Sequence, residues 1–296
     1  MWKKNFVAAH NCLSLSLSCG LDILAAESLQ YTDGSDANRC TDELFALRQV
    51  LLDKKDQNEW VLRVDHALVN TFVRQKDWRM ALVTLDHMLD QLNSVADVNL
   101  ATGYRVEILS RQGRIFLQAG GIEEARILMN RAKEAATTIG NSSNYWIVQR
   151  VPCQVAMNEG MLCFANAEYE KAMVAFKECI DAQRRLRLPG EAKYCRDNFL
   201  GHFWVDTHGA VLTQGWNNMA LSALYTCRMR EAVRMMEALV REDPTAYLTE
   251  RLAFNLCTLY ELGSDTAASA RKKRVLQLVA KRFYLHDIGP ESFRLS

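Results

Sequence analysis

Residues 216–244 read WNNMALSALYTCRMREAVRMMEALVREDP, and the spacing inside this stretch decides the fold. The small residue Ala220 is followed twelve positions later by Ala232 and four positions after that by Met236. Apolar residues spaced by three and four indicate two amphipathic helices, and a short polar turn between them lets the helices run antiparallel. Small residues at the crossing let the two helices approach closely, so the stretch predicts one tight helical hairpin.

Two stretches upstream repeat this pattern without gaps. In each, a glycine occupies the small position and precedes an alanine by twelve residues, with a large apolar residue four positions further on. This order is that of the tetratricopeptide repeat, a helical hairpin that buries its apolar face only by stacking on its neighbours. We therefore predict an all-α fold, a tetratricopeptide-repeat α-α superhelix of about five hairpins. The residues predicted to pack the hairpins are Gly113, Phe116, Ala125, Gly160, Tyr169, Ala172, Phe176, Trp216, Ala220, Ala232 and Pro244.

The repeats divide the chain into a solenoid and two flanking segments. We predict a solenoid over residues 41–283 with an inserted loop near 187–212, a poorly defined N-terminal segment over 1–40 and a C-terminal tail over 284–296. An amphipathic helix over residues 41–54 precedes the hairpins. The predicted hairpins cover residues of about 62–95, 106–139, 153–186, 213–246 and 250–283.

Composition excludes several classes of protein. The 296 residues carry 36 Lys and Arg against 35 Asp and Glu, a net charge of +1, so no strong overall field attracts nucleic acid. No stretch approaches the roughly 20 apolar residues needed to cross a bilayer, and no clean apolar run at the N-terminus predicts a signal peptide. Nine cysteines without a CxxC pair indicate reduced thiols, as expected for a cytoplasmic protein.

The common catalytic motifs are absent from the sequence. Phosphate-binding, dinucleotide-binding, zinc-protease and hydrolase signatures all lack their minimum residues. His202 and His208 could ligate a metal, but their spacing does not place both on one helical face, and the interpretation as loop histidines is better. The basic runs at 184–187 and 271–274 are interpreted as solvated helix faces. We predict no catalytic, cofactor-binding or metal residue and no enzyme activity, while an enzyme that uses Cys, His and Asp by convergence is the outlying alternative.

The inner wall of such a superhelix is formed by the first helix of each hairpin. Its asparagine-rich and apolar lining suits an extended or helical segment of another protein. Gln154 and Asn158 stand where a clamp for a chaperone's terminal carboxylate would need cations, so capture of a chaperone tail is not expected. The residues predicted to contact a partner are Arg63, Asn70, Arg111, Arg114, Asn158, Asn217, Asn218, Tyr225, Arg251 and Asn255.

Residues 216–265 are more specific than the repeat alone requires. They contain the strings NNMA at 217–220, LVREDP at 239–244 and FNLCTLYEL at 254–262. In these strings the sequence resembles the C-terminal region of the twelfth-subunit family of the transport protein particle (TRAPP) complex. The resemblance is close over about 50 residues and continues, at the level of the repeat, from about residue 60.

The resemblance implies a non-catalytic scaffold or adaptor subunit of the TRAPP vesicle-tethering and Rab guanine-nucleotide-exchange complex in traffic from the endoplasmic reticulum to the Golgi. It implies other TRAPP subunits as partners, no cofactor, and a cytoplasmic location at the periphery of these membranes, with membrane association only through the complex. The alternative is a tetratricopeptide-repeat adaptor of an unrelated assembly, of the ciliary-transport or co-chaperone type.

Overall fold

The computed structural model describes residues 36–52, 58–140, 146–186, 208–286 and 288–294. Within these ranges it contains α-helices, two short 3-10 helices at Leu92–Ser94 and Pro290–Phe293, and no strand. The α-helices are α1 (Asp36–Leu52), α2 (Asn58–Gln75), α3 (Trp78–Gln91), α4 (Val98–Ala119), α5 (Ile122–Thr137), α6 (Trp146–Gln149), α7 (Val151–Ala165), α8 (Tyr169–Arg185), α9 (His208–Tyr225), α10 (Met229–Glu242), α11 (Pro244–Tyr247), α12 (Glu250–Gly263) and α13 (Thr266–Arg282).

Five pairs of long helices form hairpins: α2 with α3, α4 with α5, α7 with α8, α9 with α10, and α12 with α13. Neighbouring hairpins stack, with α7 packed on both α4 and α5, and α9 packed on α8. The prediction of an all-α tetratricopeptide-repeat superhelix of about five hairpins is confirmed. No helix among the described residues is both long enough and apolar enough to span a bilayer.

Several helices begin earlier than the sequence pattern predicts, and the structure gives the physical cause for two of them, α4 and α9. Helix α4 begins at Val98 because the carboxylate of Asp97 accepts a hydrogen bond from the backbone amide of Leu100 at 2.9 Å and caps the helix. Helix α9 begins at His208, so residues 208–212, which were predicted to belong to the inserted loop, are helical. The side chains of Val211 and Leu212 are buried, and this burial extends the helix.

Two of the close crossings place a large side chain directly over a glycine. A Cβ atom at Gly160 would lie 2.5 Å from a ring carbon of Phe176, and one at Gly113 would lie 2.8 Å from Cγ of Met129. The large residue sits sixteen positions after the glycine, one turn beyond Ala172 or Ala125. Phe176 therefore fills the space inside its own hairpin as well as the wedge toward the next one, because it packs with α9 through Met219.

The remaining predicted packing residues lie along the same interior. The four alanines and both glycines of the set are buried. The side chains of Phe116, Tyr169 and Trp216 are half-buried. Pro244 is the first residue of α11, where a backbone amide would make no hydrogen bond within the helix, so proline costs none.

The turns inside the first four hairpins share one backbone conformation. In each of these four turns, a residue one or two positions after the first helix has a positive φ, and the amide of the following residue donates to a carbonyl five positions back, at distances of 2.8 to 2.9 Å. This Schellman geometry satisfies the last carbonyls of the helix and reverses the chain. The residues with positive φ are Lys76 (61°), Gly120 (89°), Ala167 (60°) and Cys227 (63°). Only one of these four positions carries the glycine that the conformation favours.

Residues beyond α13 fold back onto the last hairpin. Ile288 and Phe293 are buried against α12 and α13, and the backbone carbonyl of Arg294 accepts a hydrogen bond from Nζ of Lys273 at 2.9 Å. Residues 288–294 of the segment predicted as a C-terminal tail thus contribute to the core. Most of the predicted N-terminal segment (1–35) and residues 187–207 of the predicted loop lie outside the described residues, and the division into domains stays a prediction.

Candidate functional site: the inner groove

The first helices of the five hairpins line a groove of about 1210 Å³. Every described residue that lines it belongs to α2, α4, α7, α9 or α12, or to the residue just before α7 or α12. The first helices therefore form the inner wall, as the repeat pattern predicts. Six of the ten predicted contact residues line this groove, namely Asn70, Arg111, Arg114, Asn217, Asn218 and Arg251.

The other four predicted contact residues lie elsewhere. The guanidinium of Arg63 stacks over the ring of Trp60, with 4.9 Å to the ring centroid. Asn158 is 2% exposed. Tyr225 is 58% exposed and stacks on Tyr169 at the end of the hairpins, with ring centroids 4.9 Å apart. Asn255 is half-buried beside the groove.

The asparagines join neighbouring hairpins through hydrogen bonds. The amide of Asn158 on α7 donates to Oγ of Ser110 on α4 at 2.7 Å. The amide of Asn255 on α12 donates to Oδ1 of Asn217 on α9 at 2.8 Å. On α2, Oδ1 of Asn70 accepts a hydrogen bond from Arg111 of α4. These hydrogen bonds hold successive first helices in register. The buried side chains of Asn158 and Asn217 therefore stabilise the stacking of the hairpins, and little of either side chain is exposed to a partner.

The groove is basic although the chain is nearly neutral. Its described lining contains five arginines and two glutamates, a formal net charge of +3. Glu107 is already paired with Arg114 at 3.0 Å. Guanidinium groups bind carboxylates in a planar, bidentate geometry. The lining therefore suits a segment that carries carboxylates.

Two of these arginines were missed by the sequence analysis. Arg74 lies one turn after Asn70 on the same face of α2, so extending that stripe by four residues would have found it. Arg150 lies between the short helix α6 and α7, and its guanidinium is buried. No periodic pattern covers a junction of this kind, and the sequence gives no signal for Arg150.

One histidine and two cysteines in and near the groove are held in their neutral forms. Burial and the nearby guanidinium of Arg111 lower the pKa of His66 well below its usual 6.5, so its imidazole is neutral at pH 7. Burial raises the pKa of Cys153, which also lines the groove, to about 11, and that of Cys179 to about 12. A protonated thiol is a poor nucleophile. Among the described residues, no three His, Cys, Asp or Glu side chains cluster as metal ligands would. Of the two histidines considered as metal ligands and interpreted as loop residues, His202 lies outside the described residues and His208 is the first residue of α9.

Comparison with curated proteins finds sequence similarity over most of the chain. No family model matches the chain. Two curated proteins, both called trafficking protein particle complex subunit 12, align with 74% of it. The Mus musculus protein is 24% identical over 220 residues and the Homo sapiens protein 25% identical over 218. The chain spans only 22% and 24% of their respective lengths.

A solved structure gives the same fold. The crystal structure of BtubC (BKLC) from P. vanneervenii superposes with a TM-score of 0.53 over 86% of this chain and 92% of that one, at 14% identity. This chain is a tetratricopeptide-repeat solenoid. Residues 216–265 predicted a resemblance to the twelfth subunit of the TRAPP complex. This resemblance is confirmed, as sequence similarity over about three quarters of the chain.

Proposed function

We propose that this solenoid is a non-catalytic scaffold or adaptor subunit of a TRAPP-type vesicle-tethering and Rab guanine-nucleotide-exchange assembly, acting between the endoplasmic reticulum and the Golgi. Its partners are other protein subunits rather than nucleic acid, and its location is cytoplasmic, at the periphery of these membranes. The observation that carries the scaffold role is the groove, since the first helices of all five hairpins contribute to one continuous surface of polar and apolar side chains. The similarity to subunit 12 supports the choice of assembly.

The charge of the groove defines the segment that it holds. Arg74 on α2 and Arg251 on α12 are exposed at opposite ends of the lining, and Arg111 and Arg114 lie between them on α4. An extended segment laid along the groove meets guanidinium groups from several successive hairpins. We infer that this segment belongs to a neighbouring subunit and is rich in Asp and Glu.

Affinity purification from native cells, read by mass spectrometry, tests this function. The wild-type chain is compared with R74E/R251E, which changes the formal charge of the lining from +3 to −1. The control is R79E/R234E, which makes the same change at exposed arginines outside the groove. We expect TRAPP subunits with the wild type and the control, and their loss with R74E/R251E.

Two results would contradict the proposal. Recovery of ciliary-transport or chaperone proteins in place of TRAPP subunits favours the adaptor of an unrelated assembly. Equal recovery of TRAPP subunits by wild type and R74E/R251E means that a different surface holds them. Circular dichroism of both variants checks that each is folded.

A further inference from the structure

Helix α13 carries an unusual excess of positive charge. Its seventeen residues include six Lys and Arg and no Asp or Glu. Nζ of Lys272 lies 3.7 Å from Oε1 of Glu237, and Lys273 pairs with Glu261. The other four cations are exposed and have no ion-pair partner among the described residues. They are Arg271, Arg274, Lys281 and Arg282.

These four cations share one face with two exposed aliphatic side chains. At about 100° per residue, the four cations fall with Val275 and Leu278 within an arc of about 120°. Val275 is 59% exposed and Leu278 is 63% exposed. The opposite side of the helix packs against α12 and the 3-10 helix at Pro290–Phe293, and its buried residues are Ser269, Lys273, Leu276 and Ala280.

Two exposed aromatic side chains follow at the C-terminal end of α13. Phe283, the C-cap residue, is 42% exposed, and Tyr284 is 76% exposed. Aliphatic and aromatic groups framed by cations are typical of helices that lie on a membrane surface, where the cations meet headgroups and the apolar groups enter the interface.

We propose that the outer face of α13, defined by Arg271, Arg274, Val275, Leu278, Lys281 and Arg282, binds the surface of an anionic lipid bilayer. This site is separate from the groove, and the proposal does not depend on the proposed function. The helix is about 25 Å long, long enough to lie along a flat surface.

The composition of the face favours lipid over a protein partner. A stable protein interface needs a well-packed apolar centre within about 800 Å² per partner and is depleted in Lys. Here two aliphatic side chains stand among four cations, and none of the cations is held in a fixed geometry by a neighbouring acceptor in the described part of the chain. Mobile headgroups can adapt to such a face, whereas a protein surface must match it.

Vesicle flotation of the whole chain tests the proposal. The probes are vesicles of phosphatidylcholine with about 30% phosphatidylserine, and vesicles of phosphatidylcholine alone. We expect the chain to float only with the anionic vesicles, and to be released as salt rises from about 0.1 M to about 0.5 M, because screening weakens surface electrostatics. Inorganic phosphate at the same phosphate concentration should not displace it, since a free anion offers no apolar interface.

Charge variants give the size of the effect. Each cation near an anionic surface contributes about fivefold to the partition coefficient, so R271Q/R274Q should lower it by about 25-fold. The control R79Q/R234Q removes two exposed arginines from α3 and α10 and should leave it unchanged. V275A/L278A should weaken binding without changing its salt dependence, because the lost contribution is apolar.

Three outcomes would overturn the proposal. The first is that the chain does not float with anionic vesicles, and the second is that R271Q/R274Q and its control lower the partition coefficient equally. The third is that the chain does not bind vesicles, while R271Q/R274Q releases a protein that co-purifies with the wild type. The last result would assign the face to an acidic protein. The groove variant R74E/R251E should float like the wild type, so a failure of the groove proposal is distinguishable from a failure of this one.

Discussion

Replacing Gly160 by valine should loosen the third hairpin. A Cβ atom there would stand 2.5 Å from the ring of Phe176, whereas unbonded carbons prefer about 3.5 to 4.0 Å. The ring must therefore retreat by at least about 1 Å, and Phe176, at 1% exposure, has no solvent to move into. Overpacking of this kind costs about 1 to 3 kcal/mol, and the small gain in helix propensity over glycine, a few tenths of a kcal/mol, does not offset it. We expect a loss of about 2 to 3 kcal/mol in the free energy of unfolding.

Urea denaturation followed by far-UV circular dichroism measures this loss. Gly263→Val is the matched control, because a Cβ atom there meets only the flexible side chain of Met229 at 3.5 Å and the position is exposed. The control should change the stability by less than about 1 kcal/mol. Phe176→Leu should lower the free energy of unfolding less in the Gly160→Val variant than in the wild type, because the smaller side chain leaves room for the valine. The favourable coupling energy should be at least about 1 kcal/mol. A zero coupling, or equal effects of the two valines, would refute the inferred crossing.

Three further changes probe packing, turns and titration. Ala172→Arg should lower the free energy of unfolding by about 3 to 5 kcal/mol, because it buries an unpaired charge at a position with no exposure. An unchanged melting curve would mean that the repeat register is wrong. Ala167→Gly should raise the free energy of unfolding by about 0.5 kcal/mol, since relief of the positive φ outweighs the entropy that glycine adds to the unfolded chain. A denaturation midpoint lower than that of the wild type would count against the turn geometry. The pKa of His66 is lowered in the folded state, so stability is fully present above about pH 6.5 and falls as the pH drops toward the folded pKa, by up to about 1.4 kcal/mol per pH unit. His66→Gln should flatten that dependence in denaturation measured from pH 7.5 to 5, and parallel curves for variant and wild type would contradict the assignment.

The hairpins could be predicted because their determinants are local. A small residue followed by an alanine at twelve positions and a large residue at sixteen fixes two helices and their crossing within one stretch of about 34 residues. The early start of α4 also has a local signal, the capping carboxylate of Asp97. The short helices α6 and α11 have no periodic signal, because four residues complete barely one turn.

The groove could be predicted only in part. Helical spacing places Asn70 and Arg111 on the inner wall because each lies on the same stripe as other wall positions. It cannot show that Asn158 spends its amide on Ser110, 48 residues away, since that bond depends on how two hairpins stack. A polar residue on the inner face is thus a candidate for partner contact and for hairpin packing alike, and only the three-dimensional pairing separates the two roles.

Net charge hides the electrostatics of this chain most completely. The value of +1 argues against polyanion binding when the charges are averaged over the molecule. The described residues instead concentrate cations on two surfaces, the groove lining and the outer face of α13, while acidic side chains such as Glu237 and Glu261 are paired with cations elsewhere. Because attraction to a ligand falls off within about 10 Å at physiological salt, each surface acts by its own local charge. We therefore expect each surface to lose its ligand independently of the other. Charge reversal in the groove should release protein partners and leave lipid binding intact, and charge removal on α13 should release lipid and leave protein partners bound.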